Sequence, residues 1–194
     1  TYPDSADPDN YFIEYDFSSG TVTYSITVNS QFSGINRFSA LTPGDNGYIY
    51  IGSFFEPYLI RFNTVSKSFE VLGSLKLTPS TLGVSALLYD EKRKRIYGGT
   101  VGTDEYEGGY LFYYDIINST FRVIGKVDSD STVVKISSMT FGGDGCIYGG
   151  TFGKITSSNF IKLGQVFKFN PDTEKIEFTL PVIDNYHEFL IPYN

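Results

Sequence analysis

The chain has 194 residues, and its 15 basic and 22 acidic side chains give a formal net charge of −7. This acidic balance argues against nucleic acid as a partner, because binding to a phosphate backbone depends on Lys and Arg. No apolar run reaches the ~18 residues of a membrane-spanning helix, so we expect no membrane span. A single cysteine and a single histidine exclude an internal disulfide and a metal site built from several such ligands. We therefore expect no cofactor and no metal.

Aromatic residues and glycines dominate the composition, with 16 Tyr, 17 Phe, 20 Gly and no Trp. Tyr and Phe are enriched in strands and glycine in tight turns, so this composition predicts many short strands. No window shows a sustained helical period, and Ser, Gly and Pro interrupt every candidate helix. The sequence therefore favours an all-β fold.

In chain order, two strand-like segments at 12–16 and 22–26 come first, and a pattern of four segments then recurs three times. In each copy the second segment begins with an Ile-Tyr pair, whose tyrosines, Tyr50, Tyr97 and Tyr148, are 47 and 51 residues apart. The four segments lie at 38–41, 49–52, 59–63 and 69–73 in the first copy; at 84–87, 96–99, 111–115 and 121–125 in the second; and at 136–139, 147–150, 166–170 and 176–178 in the third. A further first segment is expected at 187–190.

Turn signals separate these segments, as expected for strands joined by hairpins. The third segment of each unit ends in an Asx residue, whose side chain can cap the following turn: Asp16, Asn63, Asp115 and Asn170. Four antiparallel strands in about fifty residues are typical of a β-propeller blade. We therefore predict a partial blade at 9–28, complete blades at 36–73, 84–125 and 134–180, and a partial blade at 186–194. A solenoid of strands is the structural alternative.

Two copies end the second segment in a diglycine, Gly98-Gly99 and Gly149-Gly150, and a variable loop and an aromatic residue with Asp or Asn follow. This order resembles the kelch repeat over about three blades. It departs from that repeat at the usual Trp of the last strand, which is Phe69, Phe121 or Ile176 here, and at Ile51-Gly52 in the first copy. The resemblance implies a fold that protein-binding modules, sugar-acting enzymes and extracellular proteins share.

The predicted strands are one short of four complete blades. Propellers protect their strand edges by closing radially. The pattern therefore predicts either a segment of a larger propeller or a blade that a strand from a neighbouring chain completes.

The loops between the second and third strands, at 53–58, 100–110 and 151–165, are the predicted binding face, since loops on a rigid scaffold commonly carry function. Aromatic rings there can meet a sugar or a partner protein, or pack against neighbouring blades. Acidic residues can hold a hard cation or form a solvated loop, and no calcium-loop spacing is present. The candidate ligand-binding residues are Phe54, Phe55, Asp104, Glu105, Tyr106, Glu107, Lys154, Asn159 and Phe160.

No catalytic residue is assigned. His187 aligns with apolar residues of the other copies, which favours a packing position. Cys146 has no histidine nearby in the repeat and is interpreted as an inert thiol in a strand. Ser39, Ser85 and Ser137 recur at one position of the first strand, where small residues suit crowded inner strands.

The first hypothesis is a non-catalytic propeller module that binds a protein or carbohydrate through its loops. We expect such a module outside the cell or at the cell surface, with the cytoplasm as the alternative. The second is a lyase or hydrolase acting on a saccharide, with its catalytic groups in further blades. The third is a structural subunit completed by a strand of a neighbouring chain. The sequon at Asn118 would accept a glycan in a secreted protein.

Overall fold

The computed structural model describes residues 10–103, 108–128, 133–153 and 164–181. It confirms the all-β class and the antiparallel pairing. The predicted strand at 187–190 and partial blade at 186–194 lie outside the described residues. The strands are β1 (Tyr11–Asp16), β2 (Thr21–Thr27), β3 (Arg37–Pro43), β4 (Tyr48–Phe54), β5 (Tyr58–Asn63), β6 (Ser68–Ser74), β7 (Thr81–Asp90), β8 (Arg95–Gly102), β9 (Tyr110–Asp115), β10 (Thr120–Lys126), β11 (Val133–Phe141), β12 (Ile147–Gly153), β13 (Gln165–Asn170) and β14 (Lys175–Pro181).

The strands pair with their neighbours in the chain. β1 and β2 form an N-terminal hairpin, and β3–β6, β7–β10 and β11–β14 form three four-stranded meanders, named sheets I, II and III here. A single-turn helix, α1 (Val28–Gln31), connects the hairpin to sheet I. Sequence periodicity did not predict α1, because one turn is too short to produce a helical period. Among the described residues, no helix is long and apolar enough to cross a membrane.

The predicted Asx caps are present at the outer turn of the hairpin and of each sheet. The side-chain oxygen of Asn63 accepts hydrogen bonds from the backbone N–H groups of Val65 and Ser66 at 2.9 and 3.0 Å. Asp16, Asp115 and Asn170 accept bonds at the same position of their own turns. The side chains thus satisfy backbone donors that the turn takes out of the strand ladder.

Consecutive sheets are joined near the beginning of their first strands. A single bridge connects Phe54 of β4 to Gly83 of β7, and an equivalent bridge connects Val101 of β8 to Lys135 of β11. The Ser39 hydroxyl donates to the carbonyl of Val84 at 2.6 Å, and Ser85 donates in the same way to Ile136 at 2.7 Å. The recurring serines therefore link successive first strands.

Each sheet has a front face, towards the preceding sheet or hairpin, and a back face, towards the following one. Three apolar cores fill the spaces between them. The front faces of sheets I, II and III bury one pair of third-strand residues each: Ile60 and Phe62, Phe112 and Tyr114, and Phe167 and Phe169.

The second glycine of the second strand lies where the next sheet comes closest. A Cβ on Gly52 would lie 2.7 Å from Val84, and one on Gly99 would overlap Ile136. The first glycine of the pair is covered by a ring of the adjacent third strand, Phe112 over Gly98. In sheet I the position of this first glycine is occupied by Ile51. Its cross-strand partner is Ile60, which is smaller than the Phe112 of sheet II, and Ile51 is fully buried there.

Candidate functional site

The beginning of each first strand lies beside the end of the second strand of the same sheet. The register pairs Arg37 with Phe54, Thr81 with Gly102 and Val133 with Gly153. The loops that leave the second strands and the links between sheets therefore share one end of the molecule, called the loop face below.

A buried hydroxyl holds the base of each loop between the second and third strands. The backbone N–H of Tyr58 donates to Ser53 Oγ at 2.9 Å, that of Tyr110 to Thr100 Oγ1 at 3.0 Å, and that of Gln165 to Thr151 Oγ1 at 2.9 Å. Ser53 and Thr100 are fully buried. These hydroxyls fix where each loop leaves its sheet. Their recurrence after the glycines was a sequence signal that the motif analysis missed.

Two adjoining cavities open on the loop face between the three sheets. The first, of about 450 Å³, has a mainly apolar lining that consists of Phe54, Phe55, Leu82, Val101, Gly102, Thr103, Val134, Lys135 and Phe152. The second, of about 420 Å³, continues along the first strands and is lined by Arg37, Phe38, Ser39, Phe54, Ser85, Val101 and Lys135. Concave apolar surface with a few polar groups is the usual form of a ligand pocket.

Three side chains of sheet I form an aromatic and cationic cluster at the rim. The guanidinium carbon of Arg37 lies 4.3 Å from the ring centroid of Phe54 and 5.9 Å from that of Phe55. The two rings meet edge to face at 4.9 Å. Phe55 is 51% exposed and adopts a φ of +72°, which is strained for a bulky side chain. The fold thus holds an aromatic ring in solvent at a backbone cost.

Two cations flank the cavities at equivalent positions of the repeat, two residues before the recurring serine. Arg37 occupies this position in sheet I, Gly83 in sheet II and Lys135 in sheet III. Most other basic residues in the described ranges are in ion pairs, whereas Arg37 and Lys135 have none there.

Thr103 also lines the first cavity. Its Oγ1 is inaccessible to solvent and has no hydrogen-bond partner among the described residues.

Of the nine predicted ligand-binding residues, Phe54 and Phe55 both line the first cavity. Asp104, Glu105, Tyr106, Glu107, Lys154, Asn159 and Phe160 lie outside the described residues, as does His187. Sequence analysis did not select Arg37, Lys135 or Thr103, because the stacking of Arg37 on Phe54 and the approach of Lys135 from the next sheet are tertiary contacts.

Cys146 lies immediately before β12 rather than inside a strand, which corrects the prediction at this residue. Its side chain is buried, and desolvation raises the pKa of the thiol above its ordinary value. A raised pKa reduces the thiolate fraction and therefore the reactivity of the sulfur. Within the described ranges, no group of three His, Cys, Asp or Glu side chains is placed to hold a metal ion.

Neither a protein-family model nor the sequence of a curated protein matches this chain. Solved structures do resemble it. The extracellular domain of a one-component system from B. thetaiotaomicron aligns at 19% identity and a TM-score of 0.62, covering 91% of this chain and 22% of that one. An auxiliary nutrient binding protein from Bacteroides thetaiotaomicron VPI-5482 aligns at 13% identity and a TM-score of 0.57, covering 89% and 36%.

A luciferin-regenerating enzyme aligns at 14% identity and a TM-score of 0.57, covering 88% of this chain and 52% of the enzyme. The chain thus spans between about a fifth and about half of the length of these three proteins. At such identities the likeness concerns the fold alone. The chain has an all-β fold of antiparallel sheets that resembles proteins of propeller type.

Proposed function

We propose that the chain is part of a β-propeller with kelch-like repeats, and that it serves as a non-catalytic module that binds a protein or a glycan through its loop face. The observation that carries the proposal is the pair of adjoining cavities between the first strands, with Phe54, Phe55, Arg37 and Lys135 at their rim. The sheets position these groups.

The propeller architecture is supported by the way in which one sheet relates to the next. Sheets I and II, and sheets II and III, are joined by equivalent bridges and by equivalent serine hydrogen bonds. The same relation repeated around an axis would close a ring of sheets. The diglycine of the repeat lies at the closest approach of consecutive sheets, which gives the kelch-like spacing a physical reason.

The chemistry of the rim supports a ligand with a flat apolar face and polar or anionic groups at its edge. Exposed aromatic rings provide large contact area at a low cost in conformational entropy. A sugar ring and an aromatic or acidic peptide segment both have this character. The extracellular and nutrient-binding functions named for two of the similar structures favour a module that works outside the cell.

A lyase or hydrolase that acts on a saccharide, with its catalytic groups in further blades, is the second candidate. The cavity linings in the described ranges comprise aromatic, aliphatic, hydroxyl, glycine and cationic residues. General acid–base cleavage of a glycosidic bond normally uses a pair of carboxyl groups. An enzyme would therefore need carboxylates from outside these linings.

The proposal can be tested with glycan arrays and with binding titrations of neutral and acidic oligosaccharides. We expect Phe55→Ala and Lys135→Ala each to weaken binding about tenfold or more, because each removes a contact at the rim. Phe17→Ala is the matched control: Phe17 is 91% exposed, in the β1–β2 turn. Equal affinity for all three variants would contradict the proposed site, and release of shorter products during the titration would favour the enzyme.

A further inference from the structure

The two cavities of the loop face join into one open trough. Phe54, Val101 and Lys135 line both of them. The trough begins at Arg37 of sheet I, passes Val101 of sheet II and reaches Phe152 of sheet III. A ligand that follows the trough is therefore extended, and it keeps one side in water.

Phe55 presents a flat aromatic ring at the edge of this trough. The ring is 51% exposed, and the neighbouring ring of Phe54 supports it edge to face at 4.9 Å. A sugar ring can stack its C–H face on such a platform and leave its hydroxyl groups in water, where they need no protein partner. An apolar peptide side chain gains most in an enclosed pocket, where all of its surface leaves water. The exposed ring therefore favours a saccharide over a peptide.

Two cations lie beside this platform. The guanidinium carbon of Arg37 is 5.9 Å from the centroid of the Phe55 ring, and it stacks on Phe54 at 4.3 Å. Lys135 comes from the first strand of sheet III, and its side chain lines both cavities. Asp and Glu are absent from the described residues that line the two cavities. The described lining is thus positively charged, in a chain whose net charge is −7.

Hydroxyl groups in fixed positions lie along the polar side of the trough. Ser39 and Ser85 both line the second cavity. Each donates its own hydrogen to a backbone carbonyl of the next first strand, at 2.6 and 2.7 Å. A hydroxyl oxygen that donates in this way can still accept a hydrogen bond from a sugar hydroxyl. Because the strands hold both serines in place, they lose little conformational entropy when a ligand binds.

We propose that the trough binds an acidic oligosaccharide built of hexuronate units, with one sugar ring stacked on Phe55 and its carboxylate paired with Arg37 and Lys135. A hexuronate has C–H groups on its ring face and a carboxylate at the ring edge. This arrangement matches an aromatic platform with cations beside it. The inference rests on the function proposed above, because it names the ligand class of the same site. It adds that charge, as well as ring shape, selects the ligand.

Calorimetric titration with tetramers of galacturonate, glucuronate and mannuronate tests this selection. The methyl ester of each tetramer is the matched neutral probe, since it keeps the sugar rings and removes the charge. We expect at least one acid to bind about tenfold or more tighter than its ester, because hydrogen bonds between ionised groups are the stronger ones. Esters that bind as tightly as their acids in all three pairs would overturn the proposal and leave a neutral saccharide site on the loop face in place.

Variants of the chain separate the effect of charge from that of stacking. Lys135→Ala and Arg37→Gln should each reduce the ratio of acid to ester affinity about threefold or more, since each removes one cation. Phe55→Ala should weaken acid and ester alike, about tenfold, and keep the ratio. Lys92→Ala removes an equal charge from an exposed position in the turn between β7 and β8, and it should change neither affinity. An unchanged ratio in Lys135→Ala and Arg37→Gln, with thermal unfolding as in the parent, would overturn the proposal.

A short peptide that alternates Phe and Asp supplies the comparison with a protein partner. We expect it to bind more weakly than the best acidic tetramer. If the peptide bound and the saccharides did not, the loop face would be a site for an acidic protein segment, and the saccharide assignment would be wrong. If the peptide, the acids and the esters all failed to bind at up to about 1 mM, the function proposed above would fail together with this inference.

Discussion

At the scale of single residues, glycine allows consecutive sheets to approach each other. Gly99 lies beneath Ile136 of the next first strand, and Gly52 lies beneath Val84 in the same way. Backbone hydrogen bonds fix both first strands at this point, so they have little freedom to retreat. Even one methyl group at Gly99 would have to displace a fully buried isoleucine.

Gly99→Ala should therefore destabilise the fold by about 2 kcal/mol, within the usual cost of overpacking a core. Urea or thermal unfolding, followed by circular dichroism, measures the effect. Gly143→Ala is the matched control, because a Cβ there meets nothing within 4 Å. If the two variants lost equal stability, the close approach at Gly99 would not be the reason for the glycine.

A second prediction at this scale concerns the outer turn of sheet II. Ser119 has a φ of +54°, and the equivalent residue of the hairpin turn is Gly20 with a φ of +68°. Ser119→Gly should stabilise the protein by about 1 kcal/mol, since glycine adopts this conformation without the cost of a Cβ. Ile117→Gly, in the same turn but without positive φ, should destabilise it instead. Denaturant titration of both variants checks the sign.

At the scale of elements, an arginine in the turn between β7 and β8 of sheet II contacts the turn between β13 and β14 of sheet III. Arg93 lies 2.7 Å from the carboxylate of Asp90 in its own turn and 2.6 Å from that of Asp172. The Asp90 side chain is only 4% exposed, so its charge depends on this partner, whereas Asp172 is 70% exposed. Arg95 and Arg122 of sheet II make further ion pairs to the same turn of sheet III, both with Glu174.

Arg93→Met should lower the free energy of unfolding by about 2 kcal/mol, mainly by leaving the Asp90 carboxylate buried without its cation. Lys92→Met removes an equal charge from the neighbouring exposed position and should have little effect. If the double variant Arg93→Met, Asp90→Asn regained the stability of the parent, the unpaired carboxylate would be identified as the cause of the loss. An unchanged deficit in that double variant would instead point to lost packing of the arginine stem.

The elements themselves were largely predictable from the sequence, and the site only in part. Turn residues such as Asn63 and Asp115 act on backbone within a few residues, so their effect can be read locally. Phe54 and Phe55 were selected because they begin a loop after a second strand. Arg37, whose guanidinium stacks on Phe54, was not selected, because it reaches Phe54 only once β3 and β4 have paired. The positive φ of Phe55 likewise depends on how the loop is anchored at Ser53.

At the scale of the whole molecule, charge determines how stability responds to acid. Hydrogen bonds from Ser18, its hydroxyl first, lower the pKa of Asp16 from 3.8 to about 2. Lys168, followed by the backbone of Cys146, lowers that of Asp144 to about 2. A pKa that is lower in the folded than in the unfolded chain means that the folded state binds fewer protons. The resulting stability is complete above about pH 5 and is lost as the pH falls through about 2.

We therefore expect the free energy of unfolding to decrease between about pH 5 and about pH 2, with a smaller slope in Asp16→Asn. Asparagine should keep the turn, since Asn63 and Asn170 cap the equivalent turns. Glu91→Gln, which removes an exposed carboxylate with no ion pair in the described ranges, should keep the parental slope. Urea titrations at several pH values give both slopes, and identical slopes for Asp16→Asn and the parent would contradict the assignment.

Apart from the single bridges between sheets, the described strands pair with their neighbours in the chain, and this has a consequence for folding. Nearly all the described pairs of strands are joined by short loops. Each pair can therefore form with little loss of chain entropy. A sheet can thus form as soon as its fifty or so residues are available and can then act as a template for the next. During synthesis on the ribosome, the growing end would present one uncovered apolar face at a time, which limits the surface exposed to aggregation.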